Sequence, residues 1–317
     1  MEKPFPSWNH EAAKAAARNG RYGTSNVNRA VYRNNCEIFH AGTYRTASGK
    51  IVSLPADDLM LAATKVVVGP FPANDTPQLA GITRTGVINR DSMLVAKDLI
   101  DTGMNPAVLN LASGYHAGGG YHKGSNAQEE SLCRVSTLSR SLYQYFDPKL
   151  AEDSNVPFVR NVYPMHKRYG GIYSPGVTVF RDASNCFALL EETFNVAVIS
   201  VAALNFREDT SYINEDLVFR APDGGFTAEG EAVMRDKIHT IFRLALAGGH
   251  DSLVLGAFGC GAFRLRPDRV APLFKQTLEE VEFKNRFREV RFAILEPFFP
   301  FSTGAMGKFK AFYSLFA

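Results

Sequence analysis

The chain has 317 residues, of which 45% are hydrophobic and 21% are charged, and its formal net charge is +3. This length can bury a sizeable core and fits one large domain or two small ones. Arg and Lys are spread along the chain without a basic arm, so charge does not indicate a nucleic-acid partner. The apolar stretches are interrupted well short of a membrane span, so no membrane partner is expected.

The four cysteines, at 36, 133, 186 and 260, are widely separated and form no CxxC pair. Neither a zinc site nor a disulfide framework is indicated, and we expect no metal and no cofactor. Residues 1–23 contain no apolar signal core. A reducing cytoplasm is the expected location, with the nucleus as the alternative in a eukaryote, and we expect a monomer.

The predicted elements begin with an N-terminal extension over residues 1–79 that packs on the main body. It has an Ala-rich helix over 10–18 and short strands and turns over 28–70. From about residue 80, strands and helices alternate, which predicts one α/β domain over 1–317 with a mixed sheet between helices. The predicted strands cover 86–89, 107–112, 177–181, 196–203, 252–257 and 289–295, and the helices cover 91–101, 127–146, 227–247 and 267–282.

The strongest functional signal lies between residues 105 and 146, where an apolar strand precedes a glycine run and a new helix. The run is Gly118, Gly119 and Gly120, and the helix opens with Gln128, Glu129 and Glu130. Glycine permits positive φ and lets a phosphate or sugar approach the backbone amides. Lys123 stands where a dinucleotide fingerprint needs its third glycine, and the P-loop spacing is also incomplete, so neither an ATPase nor a Rossmann dehydrogenase is supported.

A second glycine loop follows the predicted strand at 252–257, and both loops fall at strand ends on one edge of the predicted sheet. The amides of this loop are candidates for cradling a diphosphate while Phe263 packs on a ribose. The alternative is a tight turn with two core phenylalanines, Phe258 and Phe263. The candidate binding residues are Gly259, Cys260, Gly261, Ala262 and Phe263.

The two adjacent carboxylates have competing interpretations. If Asn126 is the N-cap, Glu129 occupies the third helical position, and a capping box accounts for it without chemistry. Glu130 is one residue too late for that box. Neighbouring positions on a helix diverge by about 100°, so one acid/base is favoured over a pair of carboxylates that flank a bond.

These segments together resemble the microbial-type poly(ADP-ribose) glycohydrolases, macrodomain enzymes whose signature is three glycines followed, after a short spacer, by Gln-Glu-Glu. Here the spacer is residues 121–127, and the resemblance extends from about Arg29 to Phe263, which is most of the chain. It implies a three-layer α/β/α macrodomain. It also implies hydrolysis of ribose–ribose O-glycosidic bonds, with release of ADP-ribose from chain ends, and poly(ADP-ribose) or ADP-ribosylated proteins as substrate.

The resemblance also implies residue roles. It makes Glu130 the catalytic acid/base, gives Glu129 and Gln128 positioning roles, and assigns the second loop to the diphosphate with Phe263 on the distal ribose. The chain departs from the family at His116-Ala117, where relatives more often show Asn-Pro. His116 is the candidate that replaces this asparagine as a hydrogen-bond donor.

Several alternatives remain at this point. Asp91 is either an N-cap or a contact to adenine. A basic cluster at Arg264, Arg266 and Arg269 is either a rim for a polyanion or an ordinary solvated surface. The function itself has two alternatives, a mono-ADP-ribosyl hydrolase and a non-catalytic ADP-ribose reader, and only Glu130 separates an enzyme from a reader.

Overall fold

The computed structural model describes residues 5–18, 20–73, 77–79, 81–209, 213–296 and 307–317. The chain divides into two compact units. The first comprises Met1–Lys65, Ala112–Pro164 and Ser174–Val198, and the second comprises Val66–Leu111, Met165–Tyr173 and Ile199–Ala317. A single domain with an extension over 1–79 stays a prediction, and residues 1–4, 19 and 74–76 of that extension lie outside the described residues.

The strands form a two-stranded ribbon and a seven-stranded sheet. The ribbon pairs β1 (Thr43–Arg45) with β2 (Ile51–Ser53), and the sheet contains β3 (Lys65–Val67), β4 (Arg84–Ile88), β5 (Pro106–Leu111), β6 (Gly171–Asp182), β7 (Ala188–Val201), β8 (Ser252–Leu255) and β9 (Glu289–Ala293). The order in the sheet is β3-β6-β7-β5-β8-β9-β4.

The sheet is mixed, as the sequence predicts. In the second unit β5, β8, β9 and β4 pair in parallel. The neighbours β6 and β7 are joined by residues 183–187, which is too short for a parallel crossover, so this pair is antiparallel. The predicted α/β class, with a mixed sheet flanked by helices, is confirmed.

The helices are α1 (His10–Ala17), α2 (Gly20–Ala41), α3 (Asp58–Ala63), α4 (Ser92–Asp101), α5 (Gln128–Val135), α6 (Leu138–Tyr143), α7 (Pro148–Asp153), α8 (Ala228–Ala247), α9 (Pro267–Glu279) and α10 (Lys308–Phe316). The predictions over 10–18, 91–101, 227–247 and 267–282 correspond to α1, α4, α8 and α9. The helices α3, α7 and α10 were not predicted, and α3 lies within 28–70, where short strands and turns were predicted.

The prediction of short strands and turns over 28–70 is wrong for its first part, where α2 continues as a helix. Its inward face carries Val27, Val31 and Ile38 at helical spacing, together with the buried Asn28 and Asn35. Because these inward positions and the buried Asn34 hold asparagine, the apolar period typical of a helix is interrupted in the sequence. Buried hydrogen bonds satisfy these amides in place of apolar contacts.

The single helix predicted over 127–146 is also wrong, since α5 and α6 are separated at Ser136 and Thr137. Ser136 has extended dihedral angles, φ −144° and ψ 176°. It forms an isolated antiparallel bridge with Val179, and the N–H of Thr137 donates to the carbonyl of Thr178 at 2.9 Å. Pairing with β6 therefore satisfies backbone groups that would otherwise bond within a continuous helix. The helical spacing of the apolar residues gives no sign of this pairing.

A buried histidine lies between α8 and β8 in the second unit. The Nδ1 of His250 donates to the carbonyl of Asn105 at 3.2 Å, and its Nε2 accepts from the hydroxyl of Tyr173 at 2.9 Å. Burial lowers the pKa of this imidazole below its ordinary value of 6.5. The fold therefore binds the neutral ring.

This shift predicts that acid weakens the fold through His250. Below pH 6.5 the unfolded chain takes up a proton that the folded chain does not, so the free energy of unfolding falls with pH until the folded ring titrates. One such proton contributes at most about 1.4 kcal/mol per pH unit. The free energy of unfolding, measured with urea at pH 7.5 and 5.5, should differ less between the two pH values for His250→Gln than for the wild type.

His40 supplies the matched control because its side chain is exposed. The change in the free energy of unfolding between the two pH values should be the same for His40→Gln as for the wild type. A His250→Gln protein with the full wild-type difference would contradict the assignment.

Candidate active site

The first glycine loop lies in the first unit, between Ala112 and α5. Gly118 and Gly119 have φ of +67° and +57°, in the left-handed region that favours glycine. A Cβ at Gly119 would lie 2.5 Å from Oε1 of Glu130 and 3.2 Å from Oε2 of Glu129. The backbone conformation and the close approach of both carboxylates require glycine at this position.

Glu129 holds the part of the loop that precedes the second glycine. The residue is 3% exposed. Its Oε2 accepts from the N–H of Ser113 at 2.7 Å, and its Oε1 accepts from the N–H of Gly118 at 3.2 Å. Two backbone amides therefore offset the loss of water around this carboxylate.

Glu130 holds the other side of the loop. Its Oε1 accepts from the N–H of Gly120 at 2.9 Å, and its Oε2 accepts from the N–H of Ala127 at 3.0 Å. Ala127 is the N-cap, so the third helical position belongs to Glu130 and not to Glu129. The alternative with Asn126 as N-cap is wrong. The carboxylate that reaches back to cap α5 is Glu130.

The geometry of Glu130 is compatible with proton transfer. The residue is 7% exposed. A carboxylate has about four lone-pair sites, so two backbone amides leave room for a proton or a substrate hydroxyl. Glu130 can thus gain or lose a proton while it still accepts the amides that hold the loop.

Arg134 lies one helical turn after Glu130 and was not predicted as a site residue. The guanidinium is fully buried, with Nη1 donating to the carbonyl of Ser125 at 2.8 Å and Nη2 donating to Oδ1 of Asn126 at 3.1 Å. The second bond engages the side-chain oxygen of Asn126, the residue that precedes the N-cap Ala127. Burial lowers the pKa of Arg134, and the nearby Glu130 opposes this effect. The spacing of four residues from Glu130 was the available sequence signal.

The second glycine loop lies in the second unit and forms a tight turn. Gly259 has φ +74°, and a Cβ there would lie 2.4 Å from Cδ1 of Leu265. Its carbonyl accepts from the N–H of Leu265 at 3.0 Å. Gly261 and Ala262 are exposed at the outside of the turn. The turn is therefore built by its own contacts, whether or not its amides also bind a ligand.

The two phenylalanines of this loop have different environments. Phe258 is fully buried, and its ring meets that of Phe274 edge-on at 6.3 Å. Phe263 is half-buried, and its carbonyl accepts from the N–H of Phe206 at 2.8 Å. Phe258 is a core residue, whereas the side chain of Phe263 remains a candidate for contact with a ligand.

Cys260 lies between these phenylalanines and is a weak donor within the turn. Its Sγ donates to the carbonyl of Phe258 at 3.5 Å. Burial raises the pKa of the thiol well above its ordinary value. The group is therefore protonated at neutral pH, which disfavours a role as nucleophile.

The basic cluster after the second loop is paired with acidic side chains. The N–O distances are 2.9, 2.6 and 2.6 Å for Arg264 with Asp209, Arg266 with Asp268, and Arg269 with Asp223. Exposed pairs of this kind contribute about 0–1 kcal/mol. The pairing favours the interpretation of a solvated surface over a positive rim.

The remaining predicted residues occupy diverse positions. His116 is exposed, and its ring meets that of Phe146 edge-on at 5.9 Å. Gln128 is the half-buried first residue of α5. Asp91 caps α4, with Oδ1 accepting from the N–H of Met93 at 2.9 Å. The capping role of Asp91 is confirmed, and a contact of any of the three with substrate stays a prediction.

The structure thus brings the first-loop glycines together with Glu129 and Glu130 in one unit, and Asp91 and the second loop belong to the other. Within the described ranges, no group of three His, Cys, Asp or Glu side chains could hold a metal ion. In that same part of the chain, no helix is long and apolar enough to cross a membrane.

Comparison with known proteins was made by sequence and by structure. The model of the microbial-type PARG catalytic domain, where PARG is poly(ADP-ribose) glycohydrolase, matches residues 33–182, which include the glycines and both carboxylates. No curated protein sequence matches the chain significantly.

Solved structures give the wider match. The crystal structure of poly(ADP-ribose) glycohydrolase from Thermomonospora curvata is similar with a TM-score of 0.71 and 29% identity, over 90% of this chain and 98% of that chain. A mutant of the same enzyme is 30% identical over the same shares, with a TM-score of 0.67. The Deinococcus radiodurans enzyme in complex with ADP-ribose is 28% identical over 83% of this chain and 98% of that chain, with a TM-score of 0.62.

The structural matches with the T. curvata enzyme cover 90% of the chain, and the family model matches the segment in which two carboxylates hold the glycine loop. The chain belongs to the family of microbial-type poly(ADP-ribose) glycohydrolases.

Proposed function

We propose that the chain is a glycosidase that hydrolyses the ribose–ribose O-glycosidic bonds of poly(ADP-ribose) and releases ADP-ribose from chain ends. The observation that carries this proposal is the buried Glu130 carboxylate, which lies against the triple glycine with both oxygens oriented by backbone amides. The similar enzyme from T. curvata binds the inhibitor ADP-HPD, and the one from D. radiodurans binds ADP-ribose. These ligands support an ADP-ribose unit as the substrate.

In the proposed reaction, Glu130 first donates a proton to the leaving 2′ oxygen while the glycosidic C–O bond breaks. The ribose then carries an oxocarbenium-like positive charge, which the diphosphate of the substrate helps to stabilise. Glu130, now ionised, takes a proton from a water molecule whose oxygen forms the new bond to the ribose. The proton count balances, and the carboxylic acid is regenerated. Glu129 acts by holding Ser113 and Gly118 in place.

The second loop is proposed to bind the diphosphate through its amides, with Phe263 on the distal ribose. The half-buried ring of Phe263 and the exposed backbone at Gly261 and Ala262 support this role. Asp91, His116 and Gln128 are further proposed contacts to the substrate.

We also propose that the protein works in the cytoplasm as a monomer. Its four cysteines are free, which fits a reducing compartment. Incubation with poly(ADP-ribose) and with mono-ADP-ribosylated protein, followed by identification of the released products, tests the function. Release of ADP-ribose from the mono-ADP-ribosylated protein alone would favour the mono-ADP-ribosyl hydrolase alternative, and no release from either would favour a reader.

ADP-ribose should stabilise the folded protein by mass action. At a free concentration ten times the dissociation constant, the added free energy of unfolding is about 1.4 kcal/mol. AMP, which lacks the distal ribose, should have much less effect at equal concentration. Calorimetry without detectable binding at millimolar ADP-ribose would contradict the proposed ligand.

Glu130→Gln should reduce release of ADP-ribose by roughly 10²-fold or more, because the amide cannot transfer the proton. The affinity for ADP-ribose should change little. Initial rates on poly(ADP-ribose) and calorimetric titration with ADP-ribose provide the two measurements.

Glu129→Gln is the matched control, because each variant removes one carboxylate oxygen that accepts a backbone amide. The two proteins should lose similar stability, while Glu129→Gln loses less activity. A folded Glu130→Gln protein with near-normal activity would remove Glu130 from its catalytic role.

The two phenylalanines of the second loop should separate binding from folding. Phe263→Ala should weaken affinity for ADP-ribose with little change in melting temperature, because the side chain is only half-buried and the variant keeps the carbonyl that accepts from the N–H of Phe206. Phe258→Ala should lower the free energy of unfolding by about 3–5 kcal/mol, because it opens a cavity in the core. Unchanged affinity in a stable Phe263→Ala protein would exclude the ribose contact.

A further inference from the structure

Helix α2 makes direct hydrogen bonds to the loop that follows the triple glycine. The Nδ2 of Asn28 donates to the carbonyl of Gly124 at 3.2 Å, and Nη1 of Arg29 donates to that of Lys123 at 3.4 Å. A Cβ at Gly124 would lie 2.6 Å from the carbonyl oxygen of Ser25. Helix α2 therefore lies in close contact with the segment between the glycines and the proposed acid/base.

Asn35 is the most connected residue of this helix. It is fully buried, and its Nδ2 donates to the hydroxyl oxygen of Tyr121 at 2.7 Å and to the carbonyl of Arg134 at 2.9 Å. Its Oδ1 accepts from Nε of Arg181 at 2.7 Å. Each polar atom of the amide has a partner, which fixes the orientation of the group.

Tyr121 and Arg134 lie on opposite sides of Glu130 in the chain, and Asn35 also donates to the carbonyl of Cys133 at 3.5 Å. Tyr121 directly follows Gly120, whose N–H donates to Glu130, and the Tyr121 ring is buried. Arg134 ends the helical turn that begins at Glu130, and its guanidinium holds the entry to α5. One amide therefore ties the glycine side and the helix side of the site together.

Arg181 anchors Asn35 from the other side. The guanidinium is buried and also donates to Oδ1 of Asn34 at 2.6 Å and to the carbonyl of Phe187 at 2.9 Å. Its carbon lies 5.4 Å from the ring centroid of Trp8. These acceptors are neutral, and burial lowers the pKa of Arg181 to about 9, so the group remains charged at neutral pH.

We infer that Asn35 is a positioning residue for Glu130, because it holds the glycine loop and α5 at the separation at which both oxygens of Glu130 receive a backbone amide. This inference deepens the proposed function and rests on it for its effect on turnover. Loss of the Asn35 bonds frees Tyr121 and the end of α5. The amides of Gly120 and Ala127 then open more often, and the carboxylate is less well oriented.

Asn35→Leu and Asn34→Leu form the matched pair that tests the inference. Each replacement removes one acceptor from Arg181, but only Asn35→Leu also removes the bonds to Tyr121 and Arg134. Two quantities are measured, the hydrogen-exchange rates of the Gly120 and Ala127 amides without substrate, and kcat and KM on poly(ADP-ribose).

Asn35→Leu should accelerate exchange at both amides by about tenfold or more relative to amides in α8. It should lower kcat by about tenfold or more, with a much smaller change in KM. Asn34→Leu should leave both amides and kcat close to wild type. Equal exchange and equal kcat in the two variants would overturn the inference.

Tyr121→Phe tests the loop side with little risk to folding, because it removes only the hydroxyl that accepts from Asn35. It should accelerate hydrogen exchange at the Gly120 amide more than at amides in α8. If Tyr121→Phe and Asn35→Leu both showed the wild-type exchange rate at Gly120, the inference would be overturned. A wild-type protein that releases no ADP-ribose would contradict the proposed function alone. The exchange comparison needs no substrate and still decides the role of Asn35.

Discussion

Four backbone N–H groups that end on two adjacent buried carboxylates are the interaction on which this site depends. Glu129 receives the amides of Ser113 and Gly118, and Glu130 receives those of Gly120 and Ala127. A hydrogen bond to a charged group contributes about 1.5–3 kcal/mol net. Loop and carboxylates are mutually dependent, because the glycines permit the approach and the carboxylates keep the amides turned inward.

The same dependence extends through polar side chains behind the loop. Asn28, Asn35 and Arg134 each bind a backbone carbonyl of the loop or of α5. A buried polar group that is left unpaired is costly, so such a network tolerates few alternative arrangements. Helix α2 thus supports the site, and the polar residues on its inward face serve as hydrogen-bond partners of the loop and of α5.

The sequence predicted the features that local chemistry determines. The positive-φ glycines, the N-cap at Asp91 and the alternating strands and helices follow from steric freedom, capping and apolar periodicity. Glu130 was selected through a resemblance, and the structure adds its bonds to the loop. Its catalytic role stays a prediction.

What the sequence did not predict depends on partners distant in the chain. The break at Ser136 requires β6, and the length of α2 depends on asparagines whose hydrogen-bond partners lie far along the sequence. The N-cap is Ala127, and the side chain of the preceding Asn126 binds Arg134 instead. In the basic cluster, Arg264 pairs with Asp209 and Arg269 pairs with Asp223, and both acids lie more than forty residues away in the sequence. Periodicity and short motifs carry none of this information.

The contact between Arg181 and Trp8 has a spectroscopic consequence. Trp8 is the single tryptophan of the chain, and its Nε1 donates to the carbonyl of Cys186 at 2.9 Å. Selective excitation of indole therefore reports from one place, beside a buried positive charge that also binds Asn35. The tryptophan fluorescence of this protein should therefore respond to changes in the packing of Arg181 and Asn35 behind the glycine loop.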